Sequence, residues 1–126
     1  MHRVAVTGLG VVSPVGIGYE SFWESIKNGK SGVSRITKFD PSPFRSQIAG
    51  ELHDFDPTEK LSKKEVFRMD PFTQYALFSA YEAVENSKID LDSINKDRVG
   101  VIYASGIGGE ITWEEEHKKM LENGPR

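Results

Sequence analysis

The chain has 126 residues, 37% of them hydrophobic and 28% charged, with a net charge of −3 and no cysteine. This length suits one domain with a core of ordinary size, and the missing cysteine excludes disulfides, thiolate nucleophiles and cysteine metal sites. The weak net charge argues against nucleic acid as a bulk partner, and no apolar run approaches the ~20 residues needed to span a bilayer.

The N-terminal "MHRVAVTGLG" is interrupted by Thr7 and Gly8 before any separate apolar region forms, so no secretory signal is expected and the expected location is cytoplasmic. Residues 3–9 read as a buried strand, with β-branched residues leading into a glycine turn at Gly8 and Gly10. Residues 19–28, "YESFWESIKN", predict a helix with Phe22, Trp23 and Ile26 on one face and Gly29 as its stop. From 30 to 57 the pattern is irregular, punctuated by Pro41, Pro43 and Pro57, and "SQIAGEL" (46–52) is at most a short strand.

"MDPFTQYALFSAYEAVENS" is the clearest helical signal. Asp70 can cap it, Pro71 suits the first helical position, and Phe72, Tyr75, Ala76, Ala80, Ala83 and Val84 follow at helical spacing. Leu77, Phe78 and Tyr81 widen the apolar arc, so packing on more than one side is expected. A second buried strand, Val99 to Ala104, opens into "SGIGG". A last helix follows, carrying Trp113, His117, Met120 and Leu121 on one face and ended by "NGP". The order predicts an α/β protein with parallel strands. There is no internal repeat and no low-complexity segment.

Several motifs fail on spacing. "GLGVVSPVG" has Ser13 where a dinucleotide-binding fingerprint requires its third glycine, and no acidic residue closes a second strand at the right distance. "NGKSG" ends a helix where a phosphate loop must begin one, and Glu24 occupies the first glycine position of that loop. Glu114 and His117 have the Glu-x-x-His spacing of a di-iron helix, but in a single copy. "DLDSINKD" lacks the glycine of a calcium loop, and the nucleophile elbow fails at Ser105, flanked by Tyr103 and Ile107, and at Ser34, whose second flank is Ile36.

Two features remain. In "SGIGG", Gly106, Gly108 and Gly109 permit close backbone approach, with Ile107 as a lone branched side chain among them. A plain turn into a helix accounts for the same pattern. In "KLSKKEVFR", residues 60–68, a local charge of +3 arises from Lys60, Lys63, Lys64 and Arg68 against Glu65. On a helix these cations fall side by side, forming either a solvated face or a dock for an acidic partner. Residues 110–122 carry the opposite balance, −3.

Taken together, "VAVTGLGVVSPVG", "FWESIKNGKSGVSRITKFD", "IAGELHDFDP", "SKKEVFRMDPFTQYALFSAYEA" and "RVGVIYASGIGG…NGPR" resemble, in order and spacing, the N-terminal part of a β-ketoacyl-acyl-carrier-protein synthase II. The resemblance covers the whole chain. It implies one partial domain over residues 1–126, part of a thiolase-like layered α/β fold that is incomplete in this chain. It also implies a structural role for the first glycine turn, with no nucleotide, cofactor or metal bound. The complete enzyme would be an acyltransferase of fatty-acid elongation. It would take an acyl group from carrier protein onto a cysteine, then condense it with malonyl-carrier protein as carbon dioxide leaves. No catalytic residue of that kind maps here: His2, His53 and His117 do not match the catalytic histidine positions, and the fragment alone is expected to be inactive.

Two roles do map. By the resemblance, Gly106, Ile107 and Gly108 form a gate at the acyl pocket. Lys63, Lys64 and Arg68 form the docking patch for the acidic acyl carrier protein, with Phe67 standing where relatives often have a basic residue. Homodimerisation of the full enzyme is implied, with neither nucleic acid nor membrane as a partner. A non-catalytic, chain-length-factor-like relative that pairs with a competent synthase remains open, as does a stand-alone carrier-binding module.

Overall fold

The computed structural model describes residues 3–125. In chain order its elements are β1 (Val12–Ser13), β2 (Gly16–Ile17), α1 (Tyr19–Lys27), β3 (Val33–Arg35), β4 (Ile48–Gly50), α2 (Lys63–Arg68), α3 (Pro71–Ser87) and α4 (Glu110–Asn123). Single 3-10 turns lie at Pro57–Glu59 and Lys96–Arg98. Two compact units form: residues up to Asp56 with Phe78–Ile89, and Pro57–Leu77 with the residues from Asp90 onward.

In the first unit, Gly8 and Gly10 explain how the chain lies on α3. A Cβ at Gly10 would sit 1.8 Å from the Ser79 carbonyl oxygen, and one at Gly8 would sit 2.1 Å from that of Ala83. Alternate residues of an extended segment therefore meet a helix face of small side chains, Ser79, Ala83 and Ser87, at i, i+4 spacing. Polar groups of α3 fasten the same segment. The Asn86 side-chain oxygen accepts from the Leu9 N–H (3.1 Å), and Glu82 accepts from the N–H groups of Val11 (2.8 Å) and Tyr19 (2.7 Å). Tyr19 opens α1, whose N-cap Gly18 has no side chain to offer, so Glu82 serves as its cap from a distance.

β1 and β2 form a tight antiparallel hairpin, Val12 opposite Ile17, that leads straight into α1. α1 ends as expected: Asn28 closes it and Gly29 turns away at φ +63. Its apolar face is only partly covered, since Trp23 and Ile26 stay exposed beside a half-buried Phe22. β3 pairs antiparallel with β4, Ser34 opposite Ala49, so "SQIAGEL" does contain a short strand. Phe78 is buried in this unit, with the Phe55 ring edge-on at 5.1 Å.

In the second unit, Leu61 is buried and α2 carries a complete capping box. Ser62 accepts from the Glu65 N–H, while Glu65 accepts from the Ser62 N–H (2.8 Å) and hydroxyl (2.7 Å). α3 begins at Pro71 and α4 ends on Gly124, φ +76, both as the sequence predicts.

The strands expected at 3–9 and 99–104 do not form, and among the described residues every paired strand is antiparallel. Both segments are exposed: Val4 is 92% accessible and Ile102 98%. Their β-branched residues suit a sheet interior, but no neighbouring strand among the described residues offers them hydrogen bonds.

Candidate functional site

α2 presents the cations. Lys63, Lys64 and Arg68 are all exposed, and none has an ion-pair partner among the described residues. Glu65, the only acid on the helix, is committed to Ser62, whose hydroxyl and N–H hold its carboxyl below the ordinary range. Lys64 and Arg68 stand one turn apart on one face, and Lys63 pairs by the same spacing with Phe67, which is 92% exposed. Val66 turns inward. Gln74 of α3 closes the helix by donating its amide to the Val66 (3.1 Å) and Met69 (2.8 Å) carbonyls. Lys60, expected on the same face, lies before the helix in the turn after Pro57–Glu59 and is half-buried.

The glycine loop precedes α4 in the same unit. Ile107 is 79% exposed, and it lines an open groove with Gly108, Gly109, Glu110 and Trp113. Gly108 and Gly109 both adopt left-handed backbone, φ +72 and +69, which favours glycine. A Cβ at Gly106 would meet nothing within 4 Å, whereas one at Gly108 would press on the Phe72 ring at 3.1–3.3 Å. The loop is therefore open on its N-terminal side and packed on its C-terminal side.

α4 has a solvated acidic face. Glu114 pairs with Lys118 at 2.8 Å and Glu116 with Lys119 at 2.6 Å, while the His117 ring stacks on Trp113 at 5.3 Å. Glu114 is pulled below its ordinary range by its hydrogen bond to Lys118, whose own value is pushed up in return. Glu114 and His117 are thus engaged with α4 neighbours, and no three His, Asp or Glu side chains converge among the described residues.

Sequence reasoning missed three carboxylates. Asp70 was expected to cap α3, but its side chain instead accepts from the Thr112 N–H (3.2 Å) and hydroxyl (2.9 Å) at the start of α4. Glu82 caps α1, as described above. Glu51, buried, accepts from the Thr37 hydroxyl (2.8 Å) and from the N–H groups of Thr37 (2.9 Å) and Lys38 (3.2 Å). The Thr37 hydroxyl is the main cause holding its carboxyl below the ordinary value; burial opposes this, and the two N–H groups and nearby His53 add to it. Asp-Pro at a helix start was a visible signal, but the partner 42 residues away was not.

Comparison with known proteins supplies the family. The β-ketoacyl synthase N-terminal domain profile matches residues 1–125. The chain is 43% identical over 124 residues to a 3-oxoacyl-[acyl-carrier-protein] synthase 2 of Staphylococcus aureus (strain COL), covering 98% of this chain. It is 46% identical over 125 residues to the protein of that name from Coxiella burnetii, covering 99%. In each case the chain spans 30% of the relative's length. Among solved structures, "The ishigamide ketosynthase/chain length factor" superposes with a TM-score of 0.72 at 27% identity, over 94% of this chain and 30% of that one. The mixed helix-and-strand architecture is accordingly the N-terminal part of a thiolase-like α/β fold, and the chain belongs to the β-ketoacyl synthase family.

Proposed function

We propose that these residues form the carrier-docking and acyl-gating portion of a 3-oxoacyl-[acyl-carrier-protein] synthase of fatty-acid elongation, as one partial domain of a larger cytoplasmic homodimer. The observation that carries the reading is the set of exposed cations on α2, Lys63, Lys64 and Arg68, without ion-pair partners among the described residues and fixed on a helix capped at both ends. An acidic carrier protein is the complementary partner, attracted over distances near the Debye length and oriented by the rigid helix. Ile107 is the gate at the acyl pocket; Gly106, open on all sides to an added Cβ, gives it room to turn, and Gly108 bounds the gate on its other side in left-handed backbone.

In the complete enzyme, a cysteine thiolate attacks the acyl thioester carbonyl, and the carrier thiol leaves. Decarboxylation of malonyl-carrier protein then yields the enolate that attacks the enzyme-bound thioester and releases a chain two carbons longer. This sequence has no cysteine, so the nucleophile belongs to polypeptide outside it and residues 1–126 alone do not condense.

The test is binding of acyl carrier protein to the wild type and to Lys63→Glu/Lys64→Glu. The double variant is expected to bind at least about tenfold more weakly, with a flatter dependence on salt. Unchanged affinity removes the docking assignment.

A second reading, a chain-length-factor-like partner without its own nucleophile, is favoured by the ketosynthase/chain length factor likeness. The coding sequence following codon 126 separates the two: a cysteine at a strand-to-helix turn supports the synthase, and a non-nucleophile there supports the partner.

A further inference from the structure

α4 begins without a cap of its own. Its N-cap residue, Gly109, has no side chain, and the first intrahelical bond runs from the Trp113 N–H to the Gly109 carbonyl. The acceptor for Thr112 comes from Asp70, whose Oδ2 lies 3.2 Å from the Thr112 nitrogen and 2.9 Å from its hydroxyl oxygen. Asp70 immediately precedes Pro71, a position that proline biases towards extended backbone. Its carbonyl starts α3 by accepting from Thr73 (3.0 Å) and Gln74 (3.3 Å), while its carboxylate, at the positive end of α4, serves the other helix. Phe72, in the same turn, lies against Gly108, where an added Cβ would meet its ring at 3.1–3.3 Å and the ring would have to give. Among the described residues nothing comes within 4 Å of a Cβ added at Gly106, and Ile107 is exposed.

We infer that Asp70 and Phe72 are positioning residues for Ile107: they fix residues 108–112 to the start of α3 and confine movement of the glycine loop to residues 105–107. The gate then turns on a short hinge, and the start of α4 does not travel with it. The consequence for acyl groups rests on the gate reading above; the anchoring itself does not. Gln74, in the next turn of α3, holds the end of α2, so one stretch of helix secures both the docking helix and the gate.

Amide hydrogen exchange on the purified protein tests this with Asp70→Ala, Asp70→Asn and Phe72→Ala. Asp70→Ala is expected to speed exchange at Ile111 and Thr112 about five- to tenfold, leaving Tyr19–Lys27 at wild-type rates. Asp70→Asn, which keeps an acceptor oxygen, restores most of the protection, and Phe72→Ala carries fast exchange back to Gly108 and Gly109. Unchanged exchange at Thr112 in Asp70→Ala overturns the anchor, as does an equal acceleration along the whole chain. In the synthase carrying this sequence, Asp70→Ala is further expected to shift the ratio of long to short acyl groups transferred. Faster exchange with an unaltered ratio overturns the link to Ile107. A wild type that transfers no acyl group defeats the gate reading instead, and the exchange data still decide the anchor.

Discussion

Glu51 shows how much one buried carboxylate can organise. It gathers two N–H groups and a hydroxyl from Thr37 and Lys38, tying the end of β3 to the segment after β4. Its folded-state pKa lies below the ordinary Glu value of about 4.3, so the unfolded chain binds the proton more readily than the folded one. Its stabilising contribution is therefore complete above about pH 4.3 and is lost as pH falls through the lower folded value. Thermal midpoints of wild type and Glu51→Gln should differ at pH 7, with the variant lower, and should converge as pH drops below about 4. A constant difference across that range would assign the effect to packing. Asp40, Glu65 and Glu114 are also held below their ordinary values, so the difference between the two proteins is the informative quantity.

At the scale of elements, α3 is the organiser. Its small residues receive Gly8 and Gly10, its Glu82 and Asn86 hold backbone N–H groups of the first segment, and its Gln74 closes α2. The close approach makes Gly10 a sensitive position, because an added Cβ would overlap the Ser79 carbonyl oxygen at 1.8 Å and helix backbone cannot yield cheaply. Gly10→Ala is expected to destabilise the fold by about 3 kcal/mol or more, measured by urea unfolding. A loss below about 0.5 kcal/mol, the level of an ordinary surface substitution, would mean that the segment does not lie on α3. The failed nucleotide fingerprint has the same physical cause: these glycines admit a helix backbone where a fingerprint would admit a pyrophosphate.

Across the whole chain, large apolar side chains stay in solvent. Val4, Val6, Val101, Ile102 and Tyr103 are exposed on segments whose composition suits a sheet interior, and Ile111, Trp113 and Leu121 are exposed on α4. Exposed apolar surface of this kind favours association. The purified 126-residue chain is expected to bind a hydrophobic dye such as anilinonaphthalene sulfonate several-fold more strongly than a well-packed protein of its size, and to associate as concentration rises. Weak dye binding with a sharp, concentration-independent thermal transition would contradict this.

The local elements were legible because their signals are local. Gly29 ends α1, Pro71 starts α3 and Gly124 stops α4, each through groups a few residues apart; the Ser62–Glu65 box of α2 is as local, though only the cations of that segment were read. The cations of α2 and the glycines around Ile107 were equally visible as patterns. Tertiary structure alone decided which long-range partners those groups meet. Asp70 reaches α4, Glu82 reaches α1, and the residues at 4–8 and 99–104, strand-like in composition, join no sheet among the described residues. A helix cap is a contact within one turn and leaves its mark in neighbouring letters. A carboxylate serving a distant helix, or a strand awaiting a neighbour, depends on what the fold brings alongside it.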